Sequence, residues 1–190
     1  MPPKLKVTKV DIINTALQLV REHGEGAINA RSIAGALGCS TQPIFSNFSS
    51  MEELEDEVKI AAYERYSAFI EKELAGGTYP PYKSYGMAYV RFADAERELF
   101  KLLFMCDRNG EDMGPTADFI ASVDMIKGAL DVDGDIAQLI HLEMWACVHG
   151  IATMLATSYL KLDWELISTM LTDVYKGVSE RYLKNGSNKN

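Results

Sequence analysis

Residues Asn29–Phe48, reading NARSIAGALGCSTQPIFSNF, decide how this 190-residue chain is interpreted. Two short helical patterns lie on either side of Gly38, and the second carries small polar side chains instead of charges on its outer face. Two short helices joined by a tight glycine-bearing turn form a helix-turn-helix, whose second helix is shaped to enter the major groove of DNA. The stretch therefore predicts a DNA-binding unit.

Individual residues of this stretch support that geometry. Asn29 is a good N-cap, because its side-chain oxygen can accept from free backbone N–H groups, and Ser40 is the expected cap of the second helix. Gly38 suits the position after a helix end, where positive φ is often needed. Ile44 and Phe48 lie four residues apart and point inward together. The opposite face of the second helix is then left for base edges.

The flanking segments have the right order of parts. Upstream, residues 8–24 form an amphipathic helix in which Thr8 and Asp11 fit a capping box, and Gly24 provides the stop. Downstream, Ser50 is expected to cap a long helix over 51–74, with Glu53 at the reciprocal position of a second capping box. Three short helices followed by a long connecting helix are thus predicted.

Charge is distributed unevenly along the chain. The whole sequence is acidic, with net charge −8 and pI near 4.9, which by itself argues against nucleic-acid binding. Residues 1–50, however, carry five basic against three acidic side chains (net +2), so the remainder carries −10. Lys4, Lys6 and Lys9 form either a solvated tail or a basic arm on the DNA backbone, and the arm is favoured. Arg31, early in the second helix, is the better single candidate for a backbone contact.

The N-terminal fifty residues resemble the DNA-binding domain of the TetR family (TetR/AcrR type) of bacterial transcriptional repressors. The matching strings are REHG at the end of the first helix, SIAGALGCS, the Pro-Ile-Phe-x-x-Phe recognition helix, and S-x-EEL at the start of the fourth helix. The resemblance implies an all-α protein of about nine helices, with a helix-turn-helix domain (1–50) and a helical regulatory and dimerisation domain (51–190). The candidate DNA-binding residues are Lys4, Lys6, Lys9, Arg31, Ser40, Thr41, Gln42, Pro43, Phe45, Ser46 and Asn47.

Two positions depart from the pattern of that family. Phe45 stands where the family usually has a tyrosine that touches DNA phosphate, and Met51 stands where a phosphate-contacting lysine is common. Both changes remove backbone contacts. We therefore expect weaker non-specific binding and a shallower salt dependence than in a typical relative.

Composition limits the remaining classes. With 47% hydrophobic residues the chain can bury one good core, or a small and a larger domain that share a long helix. No run of apolar residues reaches bilayer-spanning length, and the first ten residues lack the apolar region of a signal peptide. A cytoplasmic protein without membrane association is expected. Cys39, Cys106 and Cys147 are then expected to be buried, reduced thiols.

Downstream of residue 50 the pattern is helical nearly throughout. Gly-Gly and Pro-Pro in residues 75–83 end the connecting helix. Further helices are predicted over 84–105, 116–130, 135–160 and 164–184, with a loop over 107–115. The last two helices offer more apolar surface than a slim body would hide, and a palindromic operator demands two-fold symmetry. A homodimer is predicted, against the alternative that both faces pack within one monomer; its candidate residues are Cys147, Ile151, Met154, Ile167, Met170, Leu171, Val174 and Val178.

The string WACVHG at 145–150 resembles the Trp-x-x-x-His-Gly signature of the WHG domain, which occurs in one branch of the same family. Aromatic and methionine side chains concentrate in the same part of the chain and would line a mostly apolar ligand cavity, or fill an ordinary core. The candidate ligand-binding residues are Tyr85, Tyr89, Phe92, Phe100, Phe104, Met105, Trp145 and His149. A small apolar or amphipathic effector bound there would alter the pitch of the long helix and hence the separation of two DNA-binding heads.

Enzymatic interpretations have little support. The three histidines lack the spacing of a metal site, and neither a phosphate-cradling glycine loop nor a nucleophile elbow occurs in the sequence. We expect no catalytic residues, metal or cofactor. The leading interpretation is a ligand-responsive repressor that binds double-stranded DNA. The alternative is a dimeric helical ligand carrier or protein-interaction module that has lost sequence-specific DNA binding.

Overall fold

The computed structural model describes residues 7–107 and 116–187, and the regular elements in these ranges are helical. A 3₁₀ turn at Glu25–Ala27 follows the first helix. This confirms the predicted all-α class. The α-helices of the described residues are α1 (Lys9–His23), α2 (Ala30–Ala36), α3 (Gln42–Asn47), α4 (Met51–Gly76), α5 (Pro81–Ala95), α6 (Arg97–Phe104), α7 (Ala117–Leu130), α8 (Gly134–Ala156) and α9 (Trp164–Ser187).

Local signals set the ends of the N-terminal helices as predicted. Thr8 accepts from the Asp11 backbone N–H, and the Asp11 carboxylate accepts from the Thr8 N–H at 2.9 Å, which completes the capping box of α1. Gly24 has φ +82° and ends α1, while Gly38 has φ +64° after α2. Asn29 caps α2 by accepting from the Ser32 N–H at 2.9 Å.

Two predicted caps differ in detail. The N-cap of α3 is Thr41, in a helical conformation with φ −71° and ψ −13°, and not Ser40. Ser50 Oγ does accept from the Glu53 N–H at 3.1 Å, as predicted. The Glu53 carboxylate, however, accepts from the N–H and hydroxyl of Ser49, both at 2.7 Å. The reciprocal half of that capping box is therefore displaced by one residue.

The helix predicted over 84–105 is broken into α5 and α6 at Glu96. Glu96 has φ −126° and ψ 55°, outside the helical region. Its carboxylate is buried and accepts hydrogen bonds from Arg21 of α1 and Arg65 of α4. The apolar periodicity continues across this position, so the prediction of one helix was wrong because long-range ion pairs hold Glu96 in a non-helical conformation.

The chain forms two compact units. The head unit consists of Met1–Ser67 and Glu96–Cys106, and the body unit consists of Ala68–Ala95 and Asp107–Asn190. The chain thus passes from one unit to the other within α4, between α5 and α6, and after α6. These units do not follow a single cut at residue 50. The division of labour into a DNA-binding domain (1–50) and a regulatory domain (51–190) stays a prediction.

Each unit has an apolar core of its own. In the head unit, fully buried side chains come from α1, α2, α3, α4 and α6: Ile12, Ala16, Val20, Ile33, Ile44, Leu54, Val58, Leu99 and Phe100. In the body unit they come from α5, α7, α8 and α9: Met87, Val90, Phe92, Ile126, Ala137, Ile140, Ala152 and Ile167.

In the part of the chain that the structure describes, one helix, α8, has the length and mean hydropathy (1.4 over its most apolar window) that membrane spans also have. It is not an uninterrupted apolar run, since Glu143 and two histidines lie within it. Of that window, 44% is buried inside the protein, where α8 packs against α5, α7 and α9. Such burial is typical of a core helix in a globular protein, so the composition of α8 is weak evidence for a membrane span.

Candidate nucleic-acid interface and regulatory body

The outer face of α3 is the candidate DNA-reading surface. Ile44 is fully buried on the inner face of α3, and Phe48 is buried directly after the helix. Gln42, Phe45 and Ser46 are exposed on the opposite side, and the Phe45 side chain is 57% exposed. A large aromatic ring on a surface helix costs hydration free energy unless it meets a partner. The placement agrees with the predicted orientation of this helix.

Two of the candidate side chains on α3 are held by their own helix. Ser46 Oγ donates to the Gln42 carbonyl at 2.9 Å, and Asn47 Nδ2 donates to the Pro43 carbonyl at 2.7 Å. Thr41, Pro43 and Asn47 are half-buried, while Ser40 is exposed. The Gln42 amide and the Phe45 ring are therefore the groups of α3 best placed to meet a base.

Arg31 and Lys9, both predicted to contact the DNA backbone, have different surroundings. Arg31 is exposed early in α2, and its guanidinium has no ion-pair partner in residues 7–107 and 116–187. Lys9 Nζ donates to Glu57 Oε1 at 2.7 Å, lies 3.5 Å from Glu53 Oε1, and sits 5.0 Å from the centroid of the Phe48 ring. The Glu57 hydrogen bond is the main reason that the pKa of Lys9 is raised.

A phosphate contact by Lys9 would therefore have to compete with two carboxylates on α4. The basic-arm interpretation is weakened for this residue, because its charge is already compensated within the head unit. Lys4 and Lys6, the other members of the arm, lie outside the described residues. Arg31 remains the better candidate of those that the structure describes.

A buried charge cluster in the head unit was not found from the sequence. Glu96 accepts from Arg21 Nε at 2.7 Å and Arg21 Nη2 at 3.0 Å, and from Arg65 Nε at 2.6 Å. One carboxylate thereby joins α1, α4 and the start of α6. The sequence does contain one signal for this cluster, because Glu96 is an acidic residue inside an apolar helical pattern. Such residues are rarely buried without a charged partner, so a buried ion pair could have been predicted.

The candidate ligand-binding residues are divided between the two units. Phe100, Phe104 and Met105 belong to the head unit, where Phe104 lies edge-on to Tyr66 with ring centroids 5.3 Å apart. Met105 is 41% exposed. The others belong to the body unit: Tyr85, Tyr89, Phe92, Trp145 and His149. Neither unit contains all eight residues, so neither unit by itself can form the whole ligand cavity that was predicted from the sequence.

The Trp-x-x-x-His pattern of α8 forms a stacked pair. The rings of Trp145 and His149 are 5.2 Å apart and inclined by 21°, as expected for residues four apart on one helix. The Tyr89 hydroxyl of α5 is 2.9 Å from His149 Nδ1. Burial raises the pKa of Tyr89 and lowers the pKa of His149, so both groups favour their neutral forms.

A second tyrosine–histidine pair, missed from the sequence, joins the same two helices. The Tyr82 hydroxyl of α5 is 3.0 Å from His141 Nδ1 of α8, and Phe119 packs edge-on to the His141 ring at 4.8 Å. Burial raises the pKa of Tyr82 and lowers that of His141. We call these two contacts the Tyr–His rungs; about two helical turns separate them on each helix.

The dimerisation residues predicted on α8 and α9 lie partly in the core of the body unit. Ile151, Ile167 and Leu171 are buried within the single chain, so a partner could not bury them further. The apolar periodicity was assigned to the wrong face for these three. The others are half-buried: Cys147, Met154, Met170, Val174 and Val178. Of these, Val174 and Val178 pack against the cluster of Ile126, Ala137, Ile140 and Met144.

Another part of α8 and α9 is apolar and exposed. Leu139, Leu142 and Trp145 of α8 are 43–48% exposed, and Leu166 of α9 is 44% exposed. We call these four residues the exposed α8–α9 face. The three cysteines are free and half-buried, and burial raises the pKa of the Cys147 thiol. Within the described ranges, no group of three or more His, Cys, Asp or Glu side chains could hold a metal ion.

Comparison with known proteins agrees with this arrangement. Residues 83–174, which run from α5 into α9, match the family model described as the tetracyclin repressor-like C-terminal domain. This match and the fold support classification of the chain in the TetR family. The matched segment contains His141, Tyr89 and His149 of the Tyr–His rungs, together with the WACVHG string, and Tyr82 lies just before it.

The fold of the chain is similar to that of a solved structure. That structure is titled as a putative transcriptional regulator TetR family protein from Vibrio parahaemolyticus, with TM-score 0.63 and 16% sequence identity. The match covers 88% of this chain and 96% of the other. Curated protein sequences give no match. The matched domain and the fold together support a transcriptional regulator in general terms, and regulators of the TetR family are generally non-enzymatic.

Proposed function

We propose that the chain is a ligand-responsive repressor, which binds a palindromic operator as a homodimer and is released by a small apolar or amphipathic effector. The observation that carries the proposal is the outward face of α3, where Gln42 and Phe45 are exposed opposite buried Ile44. A glutamine amide can pair with the donor and acceptor of adenine in the major groove, and an aromatic ring can contact a thymine methyl group.

The small number of available positive charges supports DNA recognition that depends mainly on contacts with the bases. Phe45 and Met51 offer neither a hydroxyl nor an ammonium to phosphate, and Lys9 is already paired with two glutamates. Arg31 is the remaining described candidate for a backbone contact. Because the salt dependence of DNA binding scales with the number of neutralised phosphates, we expect a shallow dependence for this protein.

The exposed α8–α9 face supports homodimerisation. Leu139, Leu142 and Trp145 together with Leu166 present large apolar side chains to solvent on the body unit. Large exposed apolar side chains such as these commonly mark a protein interface, and most homo-oligomers are two-fold symmetric. Two symmetric heads would read two half-sites spaced by about 34 Å or a multiple of that distance. The homodimer is thus proposed through this face and the half-buried residues beside it.

The effector is proposed to bind in the body unit, where Tyr85, Tyr89 and Phe92 of α5 supply aromatic surface. Helix α4 belongs to the head unit up to Ser67 and to the body unit from Ala68, so it is one continuous element that both units share. The two binding equilibria are thermodynamically linked. If the effector weakens operator binding, then bound operator must weaken effector binding by the same factor. We place this regulator in the cytoplasm.

A gel-shift titration tests the proposal on DNA from upstream of the protein's own coding sequence. Wild type should shift a palindromic fragment, whereas Gln42→Ala and Arg31→Ala should each weaken binding about tenfold, as expected for losing one base or phosphate contact. Gln138→Ala and Lys127→Ala, at exposed positions on the body unit, are the matched controls and should bind like wild type. Absence of any shift would favour the ligand carrier or protein-interaction module.

A further inference from the structure

Lys83, in the first turn of α5, is held by neutral groups. Its Nζ donates to Ser168 Oγ and to Thr172 Oγ1, both at 2.7 Å. These two hydroxyls lie four residues apart and therefore on one face of α9. The Tyr79 ring lies below the ammonium, with its centroid 4.8 Å from Nζ. All four residues belong to the body unit.

Several other basic side chains in the described parts of the chain are paired with carboxylates. Each unit has examples, at N···O separations of 4.0 Å or less: Lys9 with Glu57, Arg21 and Arg65 with Glu96, Arg91 with Glu73, Lys101 with Glu98, and Arg181 with Glu143. Lys83 differs in that its hydrogen-bond partners within residues 7–107 and 116–187 are hydroxyls. A hydroxyl satisfies an N–H group but does not compensate its charge.

A second positive charge lies near the first. Lys176 follows Thr172 by one turn of α9 and is exposed. The pKa of Lys83 is lowered mainly by burial and additionally by the positive charge of Lys176. Two like charges are therefore brought together on a chain of net charge −8, where acidic partners are plentiful. Such a pair is stabilised when an anion lies between or beside its members.

The hydrogen bonds leave donors for such an anion. Thr172 Oγ1 accepts from Lys83 and donates its own hydrogen to the Ser168 carbonyl at 2.9 Å, so this hydroxyl has no hydrogen left to donate. Ser168 Oγ accepts from Lys83 and retains its hydrogen for donation. An ammonium has three N–H donors, of which two point at these hydroxyls. The third N–H of Lys83 and the Ser168 hydroxyl can then converge on one acceptor.

We propose that Lys83, Ser168 and Thr172, with Lys176 beside them, form an anion-binding subsite that takes the carboxylate or phosphate group of an acidic small molecule. The Tyr79 ring would flank the apolar part of that ligand. Leu166 of the exposed α8–α9 face precedes Ser168 by two residues, about 200° around the helix, so the subsite and the proposed dimer surface lie on different sides of α9. Anion binding concerns the body unit alone; only the identification of the anion as the effector rests on the proposed function.

Calorimetric titration of the full-length protein tests the subsite. Sodium benzoate probes carboxylate binding with a ring that can stack on Tyr79, and inorganic phosphate probes phosphate binding, both at constant ionic strength set with sodium chloride. Wild type should bind one of the two saturably, and the probe that binds more tightly identifies the anion class. Lys83→Met, which keeps the stem and removes the charge, should weaken binding at least tenfold. Lys127→Met, at an exposed position on α7, should bind like wild type.

A milder variant keeps the test decisive if Lys83→Met fails to fold by circular dichroism. Thr172→Val preserves the shape of the side chain but removes one oxygen that orients Nζ, and should weaken binding several-fold. The subsite is refuted if neither anion binds wild type saturably, or if the folded variants bind as tightly as wild type. Repeating the operator gel shift with the binding anion separates the two hypotheses, because unchanged operator affinity would reject the effector role and leave the subsite intact.

Discussion

Arg21 and Glu96, 75 residues apart in sequence, form a two-bond ion pair: Arg21 Nε lies 2.7 Å from Glu96 Oε2, and Arg21 Nη2 lies 3.0 Å from Glu96 Oε1. Parallel bonds of this kind between a guanidinium and a carboxylate are among the strongest side-chain hydrogen bonds. Glu96 is also the N-cap residue of α6, although its side chain makes no capping hydrogen bond, and the helix dipole favours negative charge at that end. The pair thus fastens the start of α6 to α1.

Replacing Glu96 with glutamine should destabilise the protein. Glu96 is only 6% exposed, and Glu96→Gln would leave Arg21 and Arg65 without their common counter-charge. Both guanidiniums are partly solvated, so we expect a loss of about 2 kcal/mol in the free energy of unfolding, less than for a fully buried pair. Urea denaturation measures the change. Glu98→Gln removes the half-exposed partner of Lys101 and should cost under about 1 kcal/mol. Equal losses for the two variants would contradict this account.

The Tyr–His rungs should make stability fall on the acid side. Burial lowers the pKa of His141 and of His149 in the folded protein, so the unfolded chain takes up protons first as pH falls below about 6.5. The stability that the neutral imidazoles provide is complete above that pH and is lost as pH falls towards the folded pKa. Thermal unfolding across pH should give a shallower acid-side slope for a His141→Gln, His149→Gln variant than for wild type. Gln138→Ala, at an exposed position of α8 that carries no ionisable group, should keep the wild-type slope.

Self-association should depend on the exposed α8–α9 face. Leu142→Glu places a charge at a position that is 44% exposed in the single chain, so the chain should still fold but become monomeric. Sedimentation velocity at micromolar concentration measures the outcome. Ile167→Val is the matched control: this fully buried residue should lose about 1 kcal/mol of stability and leave the dimer intact. A dimer that survives Leu142→Glu would rule out this face as the interface.

Placing a lysine at position 51 should strengthen the salt dependence of DNA binding. Met51 is the first residue of α4, and Met51→Lys would add an ammonium group at the start of that helix. One added phosphate contact should raise the magnitude of the slope of log K against log salt by about 0.9. Fluorescence anisotropy at several salt concentrations measures the slope. Ala129→Lys, exposed on α7, adds the same charge to the body unit and should leave the slope unchanged.

Features set by neighbouring residues were predictable from the sequence. The Thr8 capping box, the positive φ of Gly24 and Gly38, and the buried pair Ile44 and Phe48 depend on contacts within a few residues, so spacing alone indicates them. The same holds for the stacking of Trp145 on His149. These local signals sufficed for the helix-turn-helix and for most helix boundaries.

Features set by distant residues were not predictable in the same way. The break at Glu96 depends on arginines 75 and 31 positions away, while the apolar periodicity runs through it unchanged. Ile167 and Leu171 have the spacing of a dimer seam, but spacing cannot tell which of two apolar faces meets the protein's own core. Lys9 and Lys83 are both lysines at helix starts, and only the fold shows that one faces glutamates and the other hydroxyls.

The repeated passage of the chain between its two units has a consequence for exchanging parts between regulators. A fragment that ends at residue 50 would lack α6, and with it the carboxylate that holds Arg21. A chimera that grafts this DNA-reading head onto a different sensor would therefore need three junctions: one inside α4 and one on each side of residues 96–106. Recombination at a single point would separate the DNA-binding helices from α6, which packs against them. We therefore expect the whole chain to be inherited as one unit.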